Sequence, residues 1–339
     1  MVTLEDIARE AGCSVATVSR ALSNNSRISA ATRGRVREIA DQLGYSGSAL
    51  LRATLQRQHT VGLVIPSIRS GHYYEDVSLL HDVLSDEGYK IILSCHHNDQ
   101  ARDREILQSL IAHPVDGIIH TPCTPHGFED LLPGAPTIPI VELGSRMPSP
   151  EVDLICADED GAIREIVEYL VGLGHRRIAL FTGRKDLFHI RVRTDSFRAA
   201  LNANSLLKRD CAIVYGPSSI HWFRNAMTEL LTEENRPTAV VLGNKPSLVG
   251  VLQAANLAGL TLPRDLSLVS FTSEDWHTVT TPPLTTYLHP YQEMGMMAAQ
   301  LLKQRFLRNE DTDLTPKVIR FTGEIIERQS AAPPYDLSA

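Results

Sequence analysis

The sequence predicts an all-α helix-turn-helix headpiece followed by an α/β core of two subdomains. Three observations predict it. Residues 3–22 carry two short helical patterns on either side of a Gly-Cys-Ser turn. From residue 60 onward, short β-branched runs alternate with helical stretches. That alternation occurs twice over, in two successive sets.

In the headpiece, Leu4, Ile7, Ala8 and Ala11 fall at helical spacing and form a narrow apolar stripe. Thr3 caps this helix, and Asp6 three residues on approaches a capping-box pattern. Gly12 ends it, because a left-handed residue at a helix terminus costs least for glycine. Ser14 caps a second helix over 15–22. Ala8 is small where the helices must cross, and Val18 and Leu22 point to the core. Val15, Ala16, Thr17, Ser19 and Arg20 are left outside. In such a motif the start of the second helix meets base edges in the major groove, so duplex DNA is the first partner to consider. Ser29 caps a third helix, with Val36, Ile39, Ala40 and Leu43 as its buried face and Gly44 closing it. A three-helix bundle that binds protein is the plainer alternative, and charge speaks against it. Residues 1–58 hold eight Arg and five acidic residues, a net of +3, whereas the remainder carries −10 and the whole chain −7. The basic end is what a phosphate backbone would attract.

Residues 46–59 read as a linker: polar, with Gly47 early and Arg52, Arg57 and Gln58 later. Strands are expected at 61–65, 90–94, 117–120, 138–142 and 152–156, with helices at 77–87 and 102–112. A second set follows at 178–182, 212–215, 239–242 and 266–271. Strands alternating with helices argue for parallel sheets covered on both faces. A cleft between two such units is a natural small-molecule site.

Several function classes are disfavoured. No run is long and apolar enough to span a membrane. The first residues read as a folded helix instead of a secretory peptide. Five cysteines (13, 95, 123, 156, 211) are scattered, with neither metal spacing nor a disulfide framework, and the expected home is the cytoplasm. Gly172-Leu173-Gly174 fails as a dinucleotide fingerprint, lacking a third glycine and preceding a strand, and reads as a helix C-cap. There is no phosphate loop and no nucleophile elbow. His96-His97-Asn98-Asp99 is expected as a surface patch, since adjacent histidines diverge and the thirteen His show no ligand spacing. Asp158 and Asp160 cannot be assigned to acid–base chemistry. The reading is therefore a non-enzyme with no metal and no cofactor.

These signals together resemble the lactose-repressor (LacI/GalR) family of transcription regulators. The resemblance runs nearly end to end. It rests on Val2-Thr3-Leu4-Glu5-Asp6-Ile7-Ala8, Ala11-Gly12, Thr17-Val18-Ser19-Arg20 and Leu43-Gly44-Tyr45. It continues through Leu173-Gly174-His175-Arg176-Arg177-Ile178-Ala179, Arg236-Pro237-Thr238-Ala239-Val240, Leu262-Pro263-Arg264-Asp265-Leu266-Ser267, Pro283-Leu284-Thr285-Thr286 and Glu327-Arg328-Gln329-Ser330. The resemblance implies a periplasmic-binding-protein-like core with three chain crossings. It divides the chain into a headpiece at 1–45, a hinge at 46–59 and a core at 60–339. Within the core, an N-subdomain takes about 60–155 and 288–317, and a C-subdomain about 156–287 and 318–330. It also implies a dimer or tetramer on double-stranded operator DNA, controlled by a small-molecule effector. Pro333-Pro334 interrupts the tail where a zipper would follow, so a homodimer is favoured.

By position, the resemblance assigns Val15, Ala16 and Arg20 to base edges, Arg20 with a fork that fits guanine. Thr3, Ser14, Thr17 and Tyr45 would hold phosphates, which fix register but not sequence. Arg27 is a further candidate, and Ser19 shares the exposed face. The family's minor-groove Leu is displaced here: Gly47 replaces a proline, Thr54 stands at the Leu position, and Leu55 follows one residue late. Leu55 is taken as the wedge. For the effector, the resemblance points to Tyr73 and Tyr74, Arg193, Asn244, Lys245 and Thr272, and it places Asp158 near the cleft hinge. Lys245 and Thr272 stand where many members carry aspartates. That exchange suggests a sugar derivative with an acidic group, such as a sugar acid or sugar phosphate. A periplasmic-type solute-binding protein, or an enzyme using the cleft, are the rival readings.

Overall fold

Three short helices open the chain: α1 (Leu4–Ala11), α2 (Val15–Leu22) and α3 (Ala30–Gln42). This computed structural model describes residues 4–22, 28–43, 59–68 and 71–335, except 114, 133, 135, 137, 145–146, 148–150, 207–209, 273–274 and 307–314. Gly12 takes φ +63° in the turn, as its lack of a Cβ permits. Ser14 Oγ accepts the Thr17 N–H at 3.1 Å and so caps α2. Ser29 does the same for α3 through Thr32 N–H at 3.2 Å. Ile7, Ala8, Ala11, Val18, Ala21, Leu22, Val36 and Ala40 form one small core. Leu43 departs from expectation: it lies past the end of α3 and is exposed. A side chain beyond the last helical turn no longer follows the buried stripe.

The core holds two six-stranded sheets. In the first, β1 (Thr60–Ile65), β2 (Lys90–Cys95), β3 (Gly117–His120), β4 (Ile140–Leu143), β5 (Asp153–Ala157) and β11 (Val318–Phe321) are ordered β11-β5-β4-β3-β1-β2, all parallel. Helices α4 (Gly71–Asp86), α5 (Gln100–Ala112), α6 (Phe128–Leu131) and α11 (Tyr291–Phe306) accompany it. Alternate residues of β1 face opposite sides. Val61, Leu63 and Ile65 pack with Leu80, Met294, Ala298 and Leu302, while Val64 packs with Leu107, Leu110 and Phe128. Burial on both faces is what parallel strands require.

The second sheet is ordered β12-β10-β9-β8-β6-β7. Its strands are β6 (Ile178–Thr182), β7 (Ala212–Tyr215), β8 (Ala239–Leu242), β9 (Ser267–Ser270), β10 (Thr285–Leu288) and β12 (Glu324–Ile326), the last antiparallel to β10. Helices α7 (Glu159–Gly172), α8 (Phe188–Ala203), α9 (Ile220–Leu230) and α10 (Lys245–Leu257) cover it. Ile178, Leu180, Val241 and Val269 bury toward α7 and α8, and Ala179, Phe181, Val240 and Leu242 toward α9 and α10. Leu173 caps the end of α7 and Gly174 follows it at φ +101°, so Gly172-Leu173-Gly174 ends the helix as expected.

The chain passes between the sheets three times: from β5 into α7, from β10 into α11, and from β11 into β12. The last passage corrects the expected boundary at 317/318. Residues 318–321 pair with β5 in the first sheet, so the crossing lies between Phe321 and Glu324. Asp153 anchors that approach: it accepts both arms of Arg305 at 2.8 and 2.7 Å and the Lys317 N–H at 2.8 Å. The tail motif is stitched to the second sheet. Ser330 Oγ donates to Leu268 O at 2.6 Å and accepts Thr285 N–H at 2.8 Å, while Arg328 donates to Thr286 Oγ1 at 2.9 Å.

Candidate functional site: an exposed helix face and the Arg193 cluster

The face of α2 is as its residue pattern dictates. Val18, Ala21 and Leu22 are buried, and Ser14, Val15, Ala16, Ser19 and Arg20 are exposed, with Thr17 half-buried. Ser14 Oγ and Thr17 Oγ1 lie 2.8 Å apart, so the two hydroxyls at the helix start form one polar edge. Helix N-terminal N–H groups and hydroxyls are suited to phosphate oxygens. Thr3, Arg27, Tyr45 and Leu55 lie outside the described residues.

Several of the expected effector residues gather at the carboxyl ends of the second sheet's strands, the end at which open α/β sheets hold their ligands. Arg193, on α8, is more than nine-tenths buried. Its Nη1 donates to Gly243 O at 2.7 Å, and its Nη2 reaches both carboxylate oxygens of Glu159 at 3.2 and 3.1 Å. Its guanidinium lies 4.0 Å from the centre of the Phe271 ring. Among the described residues its Nε–H has no acceptor. A buried donor left unmade is costly, and a ligand oxygen would satisfy it.

Arg193 thereby ties together the neighbours of three other expected residues. Gly243 ends in Asn244, which caps α10 in a capping box with Ser247 (Oδ1 to Ser247 N 2.9 Å). Lys245 is the first residue of that helix and half-buried. Thr272 follows Phe271, and its backbone is held by Ser270 Oγ. Tyr73 and Tyr74 fall in the first turn of α4, and their side chains lie outside the described residues. Asp158 sits at the first crossing, capping α7 through Gly161 N–H at 3.2 Å and facing Arg320 at 3.6 Å.

Sequence reasoning missed Glu159, Phe271 and an aromatic column. Phe271 stacks toward Tyr287 and His289, with ring centres 6.2 and 4.6 Å away, and His289 meets Tyr291 at 5.2 Å. This column follows the second crossing. Glu159 was legible only as one acid in the run Asp158-Glu159-Asp160; nothing local marks it as the partner of a residue 34 positions on.

The expected surface patch needs correction. His97 is exposed, but His96 is fully buried. It follows the last residue of β2, where alternation turns it inward. Its Nε2–H donates to Thr121 O at 2.9 Å and its Nδ1 accepts Asn98 N–H at 3.1 Å. Beside it His120 is clamped between Asp103 (3.1 Å) and Glu142 (3.1 Å), all three fully buried. Both ring nitrogens face carboxylates, so both carry protons. Burial pulls the His120 pKa down, yet the two carboxylates outweigh it and raise it to about 9.

A helix-turn-helix head joined to two six-stranded, mostly parallel α/β units defines the class of ligand-binding regulators. Residues 3–48 match the bacterial regulatory proteins of the lacI family, and residues 167–331 match a periplasmic binding protein-like domain. The chain is 31% identical to the ribose operon repressor of Escherichia coli (strain K12) over 98% of its length and 100% of the relative's. It is 30% identical to catabolite control protein A of Priestia megaterium over 97% and 99% of the two chains. Among solved structures it is similar to the transcriptional regulator CelR–cellobiose complex, with a TM-score of 0.69, 25% identity, and coverage of 98% of this chain and 100% of that one. The chain belongs to the lacI family of bacterial regulatory proteins.

Proposed function

We propose that this protein is a sequence-specific DNA-binding transcriptional repressor whose hold on operator DNA is set by a sugar or sugar derivative bound between the sheets. It works in the cytoplasm as a homodimer and is not an enzyme. One observation carries the reading: a single chain joins an α2 face that exposes Val15, Ala16, Ser19 and Arg20 to an α/β core in which, among the described residues, the buried Arg193 Nε–H has no acceptor. Arg20 reads a base, Val15 and Ala16 fit thymine methyls, and Ser14 and Thr17 set register on phosphates. The names of the curated relatives, a ribose operon repressor and a catabolite control protein, support the same reading. Dimerisation is supported by apolar side chains left in water: Ile92 and Leu93 on edge strand β2, and Ile220, Trp222 and Leu257 on α9 and α10. No helix among the described residues is long and apolar enough to cross a membrane.

The acidic-effector expectation is narrowed by Glu159. Lys245 and Thr272 replace carboxylates, but Glu159 supplies one at Arg193 and balances its charge. A neutral sugar then satisfies the Nε–H through a hydroxyl or ring oxygen. Thermal-shift screening of neutral and acidic sugars tests this. Stabilisation by acidic sugars alone would restore the anionic reading, and stabilisation by neither would remove the sugar. DNA affinity that does not fall with rising salt would refute phosphate-led binding.

A further inference from the structure

We propose that His96, Asp103 and Cys123 form a binding site for a zinc-class divalent ion, made of residues other than those of the DNA face and of the cluster around Arg193. One ligand atom from each residue lies within 4.8 Å of the other two. The three come from different segments: His96 directly follows β2, Asp103 is in the first turn of α5, and Cys123 lies three residues past β3. Their spacing in the chain, 7 and 20 residues, resembles no metal motif, so only the fold reveals them.

The chemistry favours a borderline-soft ion. A thiol, an imidazole and one carboxylate are the ligand types zinc takes, whereas magnesium and calcium take oxygen sets. The Cys123 Sγ–H already donates to Asp103 Oδ2 at 3.4 Å, so sulfur and oxygen face one point. Burial and the neighbouring Asp103 hold the Cys123 thiol up at about 12, so without a cation it stays protonated and unreactive. On binding, the ion takes the place of the thiol proton, which leaves to solvent, and the sulfur becomes a thiolate ligand. His96 is held neutral by burial, and the ion exchanges one of its two hydrogen bonds for a metal bond. Asp103 is oriented by the hydrogen bond it accepts from His120, as carboxylates that ligate a metal are in turn hydrogen-bonded by neighbouring groups. Cys123 is only half-buried and provides the way in. The bound ion clips the carboxyl ends of β2 and β3 to the start of α5.

The test uses the full chain, reduced, stripped of metal and titrated with Co²⁺. One equivalent should raise a thiolate-to-cobalt band in the near ultraviolet, together with visible bands of tetrahedral intensity, and added Zn²⁺ should abolish both. Cys123→Ser should lose the near-ultraviolet band while Cys95→Ser keeps it. If Cys123→Ser fails to fold, zinc-edge X-ray absorption on the parent decides, with one sulfur expected at about 2.3 Å and nitrogen or oxygen neighbours at about 2.0–2.2 Å. A featureless Co²⁺ titration, a band that survives Cys123→Ser, or a zinc shell without sulfur would overturn the site.

Discussion

Replacing His120 with glutamine removes the cation from between two fully buried carboxylates while nearly preserving volume. The folded pKa of about 9 lies well above the ordinary 6.5, and at about 1.4 kcal/mol per unit the raised value represents about 3 kcal/mol of stabilisation. An independent bound agrees: removing one partner of a buried pair costs about 3–5 kcal/mol. For a chain of this size each kcal/mol moves the melting temperature by about 2–4 °C, so His120→Gln should melt roughly 6–12 °C lower at neutral pH. The sign with pH follows from the raised value. The His120 contribution is complete below pH 6.5 and is lost as pH rises through 9. Asp103, whose pKa is lowered because its bonds to His120 outweigh burial, contributes above the ordinary carboxylate range and loses that contribution in acid. Scanning calorimetry of parent and variant between pH 7 and 10 should show the gap closing toward the alkaline end. A variant that melts within about 2 °C of the parent at pH 7, or a gap that does not change with pH, would refute the clamped imidazolium.

Arg20→Ala should remove about 1–3 kcal/mol of discrimination at one base pair, measured by competition between operator variants, with little change on non-specific DNA. Arg193→Lys, which cannot reproduce the fork to Gly243 O and Glu159, should weaken effector binding about tenfold or more by calorimetry and leave effector-free DNA affinity unchanged. Gly250→Ala should cost about 1–3 kcal/mol in denaturant unfolding, because a Cβ there would lie 2.7 Å from Ile220 O and 2.8 Å from Arg224 N, forcing α9 off α10.

The parts of the fold legible in the sequence were those written in local pattern. All nine expected strands are present, within two residues at their ends, because each is a short β-branched run bounded by turn residues. Strands β10, β11 and β12 escaped notice. They are three or four residues long, two lie at sheet edges, and β11 and β12 mix exposed with half-buried positions. Arg193 was legible by its family position; its partners were not, since Glu159 and Phe271 reach it from 34 and 78 positions away. His96 shows the same limit in reverse. Its neighbours in the chain suggested surface, and only the strand end that carries it turns it toward Thr121.

The most direct test of ligand-gated DNA binding starts from an operator selected out of random duplexes by the full chain. Its affinity is then measured by fluorescence anisotropy with and without the sugar found by thermal shift. Differential binding to the two states predicts a change of about 5–150-fold, the size of a typical coupling of about 1–3 kcal/mol. A sugar that binds by calorimetry yet leaves the operator affinity unchanged would contradict the account.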